Sequence, residues 1–503
     1  MEKSLELINT RIRDGNARVV AAEEMPSIVD ELGEEGALKE VDVVTTGTFG
    51  AMCSSGAFFN FGHADPPIRM ERVWLNDVEA YTGIAAVDAY LGATQQSATQ
   101  GEEYGGAHVL EDLLAGNAVE LQATSRGTDC YPRRSITTEL LLEDMNQAIM
   151  LNPRNAFQRY NAATNSTDRT LYTYMGTLLP RCGNISYSGA GSLSPLPNDP
   201  HFRMIGSGVP IFLCGAEGMV VGEGTQHASR GGFGNLMVTG DMKRMTNEFL
   251  RAATMTGYGV TAYVGLGVPI PVVDLDVVRH TAVRDEDILV DVIDYGVARR
   301  DRPSRRKVSY AELKSGSVEL GEEVVRTSSL SSYRMARKVA DRLKEWIETG
   351  SMGDLALPTR RINPEGVSRP MRETQQAPRV REIMERQVIS ITEDEEIRTA
   401  AKRLLKGETN HLPVLDKDGI LVGIVTTYDI SKAVVQDGKH RCVRDIMTRK
   451  VVKTHPDEPV DIAARKLEQN NISALPVVDT ANRVVGMLTA IDLGKLFGRR
   501  WMK

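Results

Sequence analysis

A tandem repeat in the last quarter of this 503-residue chain constrains the fold more than any other feature of the sequence. The segment that begins at Val380 aligns without a gap on the segment that begins at Val443, an offset of 63 residues. The register still holds at a Gly-x-x-Thr-x-x-Asp motif, which begins at Gly423 in the first copy and at Gly486 in the second. Each copy is too small to bury its own apolar face, so the repeat predicts two units packed about a pseudo-twofold axis.

Each copy is typical of a helix, two strands joined by a hairpin turn (Asp418-Gly419 in the first copy) and a second helix. These features resemble the CBS domain, and the two copies together resemble a paired CBS module. The resemblance implies a cleft that binds an adenosine-containing ligand, with four residues of the repeated motif as contacts: Thr426, Asp429, Thr489 and Asp492.

The same four residues also have a purely structural interpretation. A threonine at the helix N-cap and an aspartate three residues later form a capping box that complements the helix dipole. The functional interpretation uses the same geometry, since a helix N-terminus suits a phosphate and a carboxylate can accept hydrogen bonds from ribose hydroxyls. Both interpretations remain open at this point. The functional interpretation makes the repeat a sensor and not a catalyst.

The composition excludes several classes of protein. Charged residues make up 25% of the chain and the net charge is −7, so the basic excess that nucleic acids require is missing. The sequence shows neither a long apolar segment nor a signal peptide, and we predict a cytoplasmic protein without membrane contact. The five cysteines form no C-x-x-C pair, so we predict no metal site and no iron–sulfur cluster. Cys182 and Cys214 end apolar runs and are expected to be structural.

The rest of the chain is predicted to form a mixed α/β body with glycine-rich loops over residues 1–350. An amphipathic helix over residues 332–348 would close this body, and residues 351–379 are predicted to be a linker. The two repeats would occupy residues 380–437 and 443–498. Buried strands are expected where β-branched apolar residues follow one another, at residues 41–44, 211–213 and 259–264.

Cys53 is the first candidate catalytic residue. It lies in a loop rich in glycine and hydroxyl groups, directly after the predicted strand at residues 41–44. Such loops occur at the carboxyl edge of α/β sheets, where ligands bind. A helix that began near Ser54 or Ser55 would favour the thiolate form of Cys53. The alternative is a small buried thiol beside a tight turn.

Cys130 is the second and better candidate. Three arginines, Arg126, Arg133 and Arg134, lie within four residues of it in an irregular segment. Nearby cations favour the thiolate, which is the nucleophilic form. We predict that the same arginines bind an acidic substrate through forked contacts to its carboxylate. The alternative is that arginines flank this loop cysteine by chance.

Residues 1–350 also resemble a known family. The resemblance rests on four segments, TTGTFGAMCSSGAFFNFGHADPPIRM, SRGTDCYPRRSITT, YSGAGSLSPLPNDP and GGFGNLMVTGDMK. They are similar to the homocysteine-biosynthesis domain family of methanogenic archaea and some anaerobic bacteria, whose archaeal members carry a CBS pair after this domain.

The resemblance implies an L-aspartate semialdehyde sulfurtransferase. Such an enzyme makes homocysteine from the aldehyde and sulfide through a cysteine persulfide, with electrons from a small ferredoxin-like iron–sulfur partner. By this resemblance Cys130 would carry the persulfide, and Cys53 would be a second thiol that resolves the persulfide or relays its sulfur. If so, S-adenosylmethionine is the natural feedback ligand for the CBS pair. CBS pairs often dimerise, and a homodimer is expected.

Two other classes of protein share some of these features. IMP dehydrogenase also combines a CBS pair with a reactive cysteine loop, but its CBS pair is inserted within a TIM barrel. Here the pair is C-terminal, and residues 1–350 show no eightfold alternation of strands and helices. The second alternative is a non-catalytic regulatory protein, whose body binds metabolites and reports the state of the CBS pair to a partner.

Overall fold

The apolar runs of residues 1–350 form strands, but most of these strands pair antiparallel. The computed structural model describes residues 2–83, 87–298, 302–369, 371, 378–436 and 440–501. The chain divides into two units, Met1–Arg369 and Pro370–Lys503. The predicted end of the first repeat, residue 437, lies outside the described residues. Helices and strands both contribute to the structure, which confirms the predicted mixed α/β class.

The α-helices of the described residues, in chain order, are α1 (Leu5–Arg13), α2 (Met25–Glu40), α3 (Gly106–Leu114), α4 (Leu275–Thr281), α5 (Tyr310–Lys314), α6 (Tyr333–Glu348), α7 (Val380–Ile383), α8 (Ile397–Lys406), α9 (Thr427–Val435), α10 (Val460–Gln469) and α11 (Ala490–Trp501). None of these helices is long and apolar enough to cross a membrane.

The strands of the first unit are β1 (Val19–Ala21), β2 (Val43–Thr45), β3 (Thr48–Ala51), β4 (Gly56–Asn60), β5 (Arg72–Leu75), β6 (Val78–Ala80), β7 (Ala89–Gly92), β8 (Gln96–Ser97), β9 (Gly101–Gly105), β10 (Val119–Thr124), β11 (Ser135–Leu140), β12 (Gln147–Asn155), β13 (Ala162–Thr164), β14 (Leu171–Thr173), β15 (Gly176–Leu178), β16 (Ile185–Tyr187), β17 (Gly206–Ser207), β18 (Pro210–Leu213), β19 (Ala216–Glu223), β20 (Leu236–Asp241), β21 (Leu250–Met255), β22 (Gly259–Gly267), β23 (Pro269–Pro271), β24 (Leu289–Asp294), β25 (Ser304–Ser309), β26 (Ser317–Leu320), β27 (Glu323–Ser329) and β28 (Arg360–Arg361). Those of the second unit are β29 (Ile391–Thr392), β30 (His411–Leu415), β31 (Leu421–Thr426), β32 (Ala474–Val478) and β33 (Val484–Thr489).

A nine-stranded sheet forms the centre of the first unit. Its order is β21-β22-β18-β19-β20-β12-β4-β7, with β3 also paired to β22, and every pairing is antiparallel. A six-stranded antiparallel sheet (β11-β10-β5-β6-β8-β9) and a six-stranded mixed sheet (β25-β24-β13-β16-β27-β26) complete the larger layers.

This topology corrects the expected setting of Cys53. The sequence predicts that this residue lies at the carboxyl edge of an α/β sheet, where a helix that began near Ser54 or Ser55 would favour its thiolate form. Residues 52–55 instead form a turn between β3 and β4, which belong to the same antiparallel sheet. The expectation is wrong because a continuous apolar run indicates burial on both faces, and antiparallel strands such as β22 are buried in this way here.

The helix predicted to close the body is present as α6. The Ser332 hydroxyl accepts a hydrogen bond from the backbone of Met335 and caps the helix. Its buried face includes Val339 and Leu343 and packs on β3 and β22. Gly47 permits the close approach, since a Cβ atom at this position would lie 2.1 Å from the carbonyl oxygen of Ala336.

The first unit extends beyond the predicted boundary at residue 350. Residues 351–369, predicted to belong to a linker, pack on the body as a strap. Met352, Leu355 and Ile362 join its hydrophobic core, and β28 pairs with β17. The sequence of the strap shows neither helical nor strand periodicity, because each of its apolar side chains enters the core at a separate place. Of the predicted linker, residues 370 and 372–377 lie outside the described residues.

The second unit has the predicted pair of repeats. Strands β30 and β31 form a hairpin in the first repeat, and β32 and β33 form the equivalent hairpin in the second. Each repeat contributes its opening segment to the other: Glu385 pairs with Met487, and Thr448 pairs with Ile424. The two repeats therefore exchange their opening segments, a feature that the sequence did not predict.

Candidate functional site

A cavity of about 310 Å³ in the first unit contains one of the two candidate cysteines. Cys53 enters it from the turn between β3 and β4, and the opposite walls come from distant segments of the chain. The described lining consists of a thiol, hydroxyl groups, aromatic rings, aliphatic side chains, one amide and one guanidinium: Ala51, Met52, Cys53, Ser54, Arg154, Phe157, Tyr160, Tyr174, Met175, Ser188, Gln226, Phe233, Tyr258 and Leu330.

The sulfur of Cys53 has a hydrogen-bond donor beside it. Thr261, fully buried on β22, donates from Oγ1 to the Cys53 Sγ at 3.2 Å. Two tyrosines are also close to this sulfur. Burial raises the pKa of Tyr263, and the Cys53 sulfur raises it further. Burial also raises the pKa of Tyr258, as does Cys53, whereas the Arg154 guanidinium lowers it. Tyr258 lines the same cavity as the thiol and the guanidinium.

Arg154 reaches the cavity from an irregularity in β12. The pairing of β12 with β20 shifts register between Asn152 and Asn155, so Pro153 and Arg154 bulge out of the ladder. Bulges of this kind re-aim a side chain. The Arg154 backbone nitrogen donates to Asn152 Oδ1 at 3.2 Å, which fixes the bulge, and its guanidinium donates to Gln226 Oε1 at 2.9 Å.

A cluster of tyrosines forms part of the cavity wall, with Tyr160 and Tyr174 in the lining and Tyr295 next to Tyr174. The hydroxyls of Tyr174 and Tyr295 are 2.7 Å apart, and burial raises the pKa of both Tyr160 and Tyr295 far above the usual range. These phenols therefore remain protonated at neutral pH and serve as hydrogen-bond donors. Phe157, Tyr160 and Phe233 pack together with ring centroids 4.6 to 5.6 Å apart, which gives the cavity an aromatic wall.

Cys130 lies elsewhere on the body. It is exposed on the loop between β10 and β11 and does not line the cavity. The neighbouring Tyr131 packs near His63, with 6.4 Å between the ring centroids, and His63 follows β4. Cys53 precedes the same strand, whose five residues span roughly 16 Å. The structure therefore does not bring the two candidate cysteines together within the first unit.

The three arginines near Cys130 do not line the cavity either. Arg126 forms an ion pair with Glu71 at 3.3 Å, and the Arg133 Nε donates to the Ser135 carbonyl at 3.1 Å. Their predicted role, together with that of Arg134, stays a prediction. Cys214 is fully buried, as expected of a structural thiol, and burial raises its pKa to about 12.

Sequence reasoning missed Arg154, Tyr258 and Thr261. Thr261 lies 208 residues from Cys53, and no motif joins them. The one local signal was Asn-Pro-Arg-Asn at residues 152–155, because a proline inside an apolar strand pattern marks a bulge or an edge. No three His, Cys, Asp or Glu side chains within the described part of the chain come together as a metal site.

A second cavity, of about 660 Å³, lies in the paired-repeat unit. Thr426 and Asp429, at the start of α9, line it together with residues of both repeats: Asn410, His411, Ile424, Thr427, Tyr428, Thr448, Lys450, Val451, Val452, Asn471, Ile472, Ser473 and Ala474. The His411 Nε2 and Ser473 Oγ atoms are 2.9 Å apart across the boundary between the repeats.

Both Thr-x-x-Asp motifs form capping boxes. In the first, the Thr426 hydroxyl and backbone nitrogen donate to Asp429 Oδ2 at 2.7 and 2.8 Å. The second repeats this geometry, with Thr489 donating to Asp492 Oδ2 at 2.7 and 2.9 Å. The structural interpretation of these residues is therefore confirmed. The first pair additionally faces a cavity, while Thr489 and Asp492 lie outside that cavity.

Comparison with known proteins identifies the class of the first unit. Residues 17–353 match the family described as "Homocysteine biosynthesis enzyme, sulfur-incorporation", and the chain belongs to this family. Residues 380–436 and 443–497 each match the CBS domain. The predicted family and the predicted CBS pair are thus confirmed, and the first unit belongs to a class of sulfur-incorporating enzymes.

Full-length relatives narrow this class. The chain is 51% identical, over 100% of both chains, to the L-aspartate semialdehyde sulfurtransferase of Methanosarcina acetivorans. It is 50% identical, over 99% of both chains, to the protein of the same name from Methanocaldococcus jannaschii. The CBS domain pair of protein MJ0100, solved with 5′-methylthioadenosine and S-adenosyl-L-methionine, is 44% identical over 25% of this chain and 98% of its own, with a TM-score of 0.24.

Proposed function

We propose that this protein is an L-aspartate semialdehyde sulfurtransferase that forms L-homocysteine. Two relatives with this name share about half of its residues over their full length. The observation that carries the proposal is the Cys53 thiol, which opens into a cavity with a protonated phenol and a guanidinium beside it. These groups suit a small aldehyde that carries a carboxylate.

The overall reaction balances with an external reductant. The aldehyde, hydrogen sulfide, two electrons and two protons give the thiol and one water.

In the proposed step at Cys53, the outer sulfur of a persulfide attacks the aldehyde carbon and forms the C–S bond. The carbonyl oxygen takes a proton from Tyr258. Two electrons then cleave the S–S bond, releasing the Cys53 thiolate and a hemithioacetal, which loses water to become a thioaldehyde. A second pair of electrons reduces this thioaldehyde to the thiol.

Sulfur enters this scheme as a persulfide on Cys130. Joining hydrogen sulfide to the Cys130 thiol in a persulfide releases two electrons and two protons. The oxidised form of the iron–sulfur partner accepts these two electrons, so two of the four are recovered and two are consumed overall. Cys130 is exposed and accessible to a sulfur donor, and the Cys53 thiolate then takes the outer sulfur from it. We propose that the reductant is the small ferredoxin-like iron–sulfur partner expected from the family resemblance.

The relay requires Cys130 and Cys53 to meet, within one chain or between the chains of the expected homodimer. Mixing Cys53→Ser protein with Cys130→Ser protein separates these cases. Activity restored on mixing places the relay between chains, because each mixed dimer then has one complete pair. Unrestored activity, with mixed dimers verified by mass, places it within one chain.

The function itself is tested by product formation from L-aspartate semialdehyde and sulfide, with a reductant and an iron–sulfur donor present. Cys53→Ser and Cys130→Ser should each abolish homocysteine formation. Cys182→Ser is the matched control, since this thiol is also partly accessible but lies outside the cavity. Mass spectrometry after treatment with sulfide and the oxidised iron–sulfur donor should map persulfides to Cys130 and Cys53. A persulfide confined to Cys182 or Cys214 would overturn the site assignment.

The competing class is the non-catalytic metabolite sensor. It predicts that the double variant Cys53→Ser/Cys130→Ser still supports homocysteine formation at the wild-type rate in the same mixture, because another component would perform the reaction. The cavity favours the enzyme, since a purely sensing pocket has no need of a thiol with a buried hydroxyl donor.

For the CBS pair we propose regulation by an adenosine-containing ligand, S-adenosylmethionine first among them. The Asp429 carboxylate is placed to accept ribose hydroxyls, and Ile424, Val452 and Ile472 offer an apolar surface to a base. Calorimetry on the full chain should show binding of S-adenosylmethionine that Asp429→Asn weakens. Tight binding of AMP or ATP, without any response to S-adenosylmethionine, would point to energy sensing instead.

A further inference from the structure

The cavity around Cys53 is electrostatically one-sided. Among its described lining residues, Arg154 carries the one formal charge at neutral pH, and no carboxylate, lysine or histidine shares the lining. A small cavity with an isolated guanidinium attracts an anion and disfavours a cation at that end. The cavity is therefore polarised, with the positive group and the thiol both facing its interior.

The Arg154 guanidinium also lacks a charged partner. No ion pair within the described residues involves it, and its one described hydrogen bond goes to the neutral amide of Gln226. A guanidinium has five N–H donors in a rigid fork, so most of its donors remain for a ligand. Arginines in proteins pair in this forked manner with carboxylates.

Hydrogen bonds from neighbouring residues fix the backbone around Arg154. The bulge in β12 turns the side chain out of the ladder. The Asn152 side chain fixes the backbone of Arg154, and the Ser54 hydroxyl donates to the Arg154 carbonyl at 3.5 Å. This last contact links Arg154 to the residue next to Cys53. The thiol and the guanidinium are therefore positioned by one connected set of contacts.

The aromatic wall complements the guanidinium. Phe157, Tyr160 and Phe233 line the same cavity, and aromatic rings attract ammonium groups. An α-amino acid with a short aldehyde side chain has a carboxylate for Arg154, an ammonium group for this wall and a carbonyl carbon for the sulfur on Cys53. Each of its three polar groups thus has a complementary surface.

We infer that Arg154 binds the α-carboxylate of the substrate in the Cys53 cavity and so selects an amino-acid aldehyde over a simple aldehyde. This inference rests on the proposed function for its substrate. It also assigns the carboxylate to Arg154 instead of Arg126, Arg133 or Arg134, which lie outside the cavity.

Two measurements on the full chain test this inference. The first is calorimetric binding of L-homoserine, which keeps the amino-acid head and replaces the aldehyde by an alcohol. The second is the ratio of kcat/KM for L-aspartate semialdehyde to that for butanal, which has no carboxylate. Arg154→Gln should weaken L-homoserine binding at least about tenfold and lower the substrate ratio by a similar factor, mainly through KM.

Arg154→Lys keeps the charge without the fork and should fall between wild type and Arg154→Gln. Arg159→Gln is the matched control, because Arg159 is exposed nearby and does not line the cavity. An unchanged thermal unfolding transition of the first unit in each variant shows that its fold is kept.

Wild-type binding of L-homoserine by Arg154→Gln, or the loss of binding in Arg126→Gln instead, would overturn the inference. The proposed function fails separately: wild-type protein would then make no homocysteine, while the dependence of L-homoserine binding on Arg154 would still be measurable.

Discussion

The hydroxyl of Thr261 donates a hydrogen bond to the sulfur of Cys53 across 208 residues of sequence. Thr261 is fully buried and lies on β22, next to the strand that leads to the Cys53 turn. This contact orients the sulfur of Cys53 and provides a donor for the negative charge that the sulfur carries during reaction.

Thr261→Val should slow the alkylation of Cys53 by iodoacetamide roughly tenfold at fixed neutral pH, equivalent to about 1.4 kcal/mol. The substitution keeps the shape of the side chain and removes the donor. The rate is measured by mass spectrometry of the peptide that contains Cys53. Thr261→Ser keeps the hydroxyl and should react nearly as fast as wild type. Equal rates in the valine and wild-type proteins would show that the contact does not activate the thiol.

Gly47→Ala should destabilise the first unit by about 3 kcal/mol, the upper end of the usual cost of overpacking. The new methyl group would collide with the Ala336 carbonyl of α6, which belongs to the backbone and cannot rotate away. Thermal unfolding followed by calorimetry checks this. Gly231→Ala is the control, since a Cβ atom at that position would have no neighbour within 4 Å. A melting temperature equal to that of the control would contradict the tight packing described for α6.

The elements that the sequence predicted correctly are those whose residue pattern repeats within a short segment of the chain. Helix α6 was predictable because its apolar residues recur at helical spacing between a serine cap and Gly350, and the structure confirms it over Tyr333–Glu348. The repeat was predictable because the same sequence pattern occurs twice, so each copy supports the interpretation of the other. In both cases the information lies within a few dozen consecutive residues.

The Cys53 cavity was not predictable in the same way. Its walls come from strands and loops hundreds of residues apart, and the relation between Cys53 and Arg154 exists only after β4 and β12 have paired. The sheet direction was also missed, since β-branched runs favour a buried strand without fixing whether its neighbours run parallel or antiparallel.

His411 predicts a pH dependence of stability for the second unit. Burial lowers the pKa of this histidine from 6.5, so it is neutral in the folded protein at pH 7. The unfolded chain binds the proton more readily, so the stabilisation is complete above pH 6.5 and is lost as the pH falls towards the lower folded value.

Full-chain protein with His411→Asn should therefore show a smaller loss of thermal stability in the second unit between pH 7.5 and pH 5.5, the range around the ordinary histidine pKa. Calorimetric scans of wild type and variant at each pH check this, and their difference removes the contribution of the other histidines. If thermal stability depended on pH in the same way in the two proteins, His411 would be equally easy to protonate in the folded and unfolded chain.

Met447 and Gly423 predict energetic coupling between the repeats. A Cβ atom on Gly423 would lie 2.6 Å from the Met447 sulfur, and Gly486 stands in the same relation to Met384. Gly423→Ala and Met447→Ala should each destabilise the second unit. The loss of unfolding free energy in the double variant should be about 1 kcal/mol smaller than the sum of the two single losses. The reason is that the shortened side chain makes room for the methyl group.

Calorimetric unfolding of the full chain measures this cycle. The pair Gly423→Ala and Met384→Ala is the matched control, since Met384 contacts Gly486 and not Gly423. Additive effects in the first pair would show that the exchanged segments are not packed as described.

The strap over residues 351–369 decides where the first unit can be separated from the second. A protein cut at residue 350 would leave the sites of three core side chains, Met352, Leu355 and Ile362, open to water and would be prone to aggregate. It would also remove the carbonyl of Asn363 that His227 contacts at 2.9 Å. An expression version of the first unit therefore needs its C-terminus after Arg369, about twenty residues beyond the last helix of that unit.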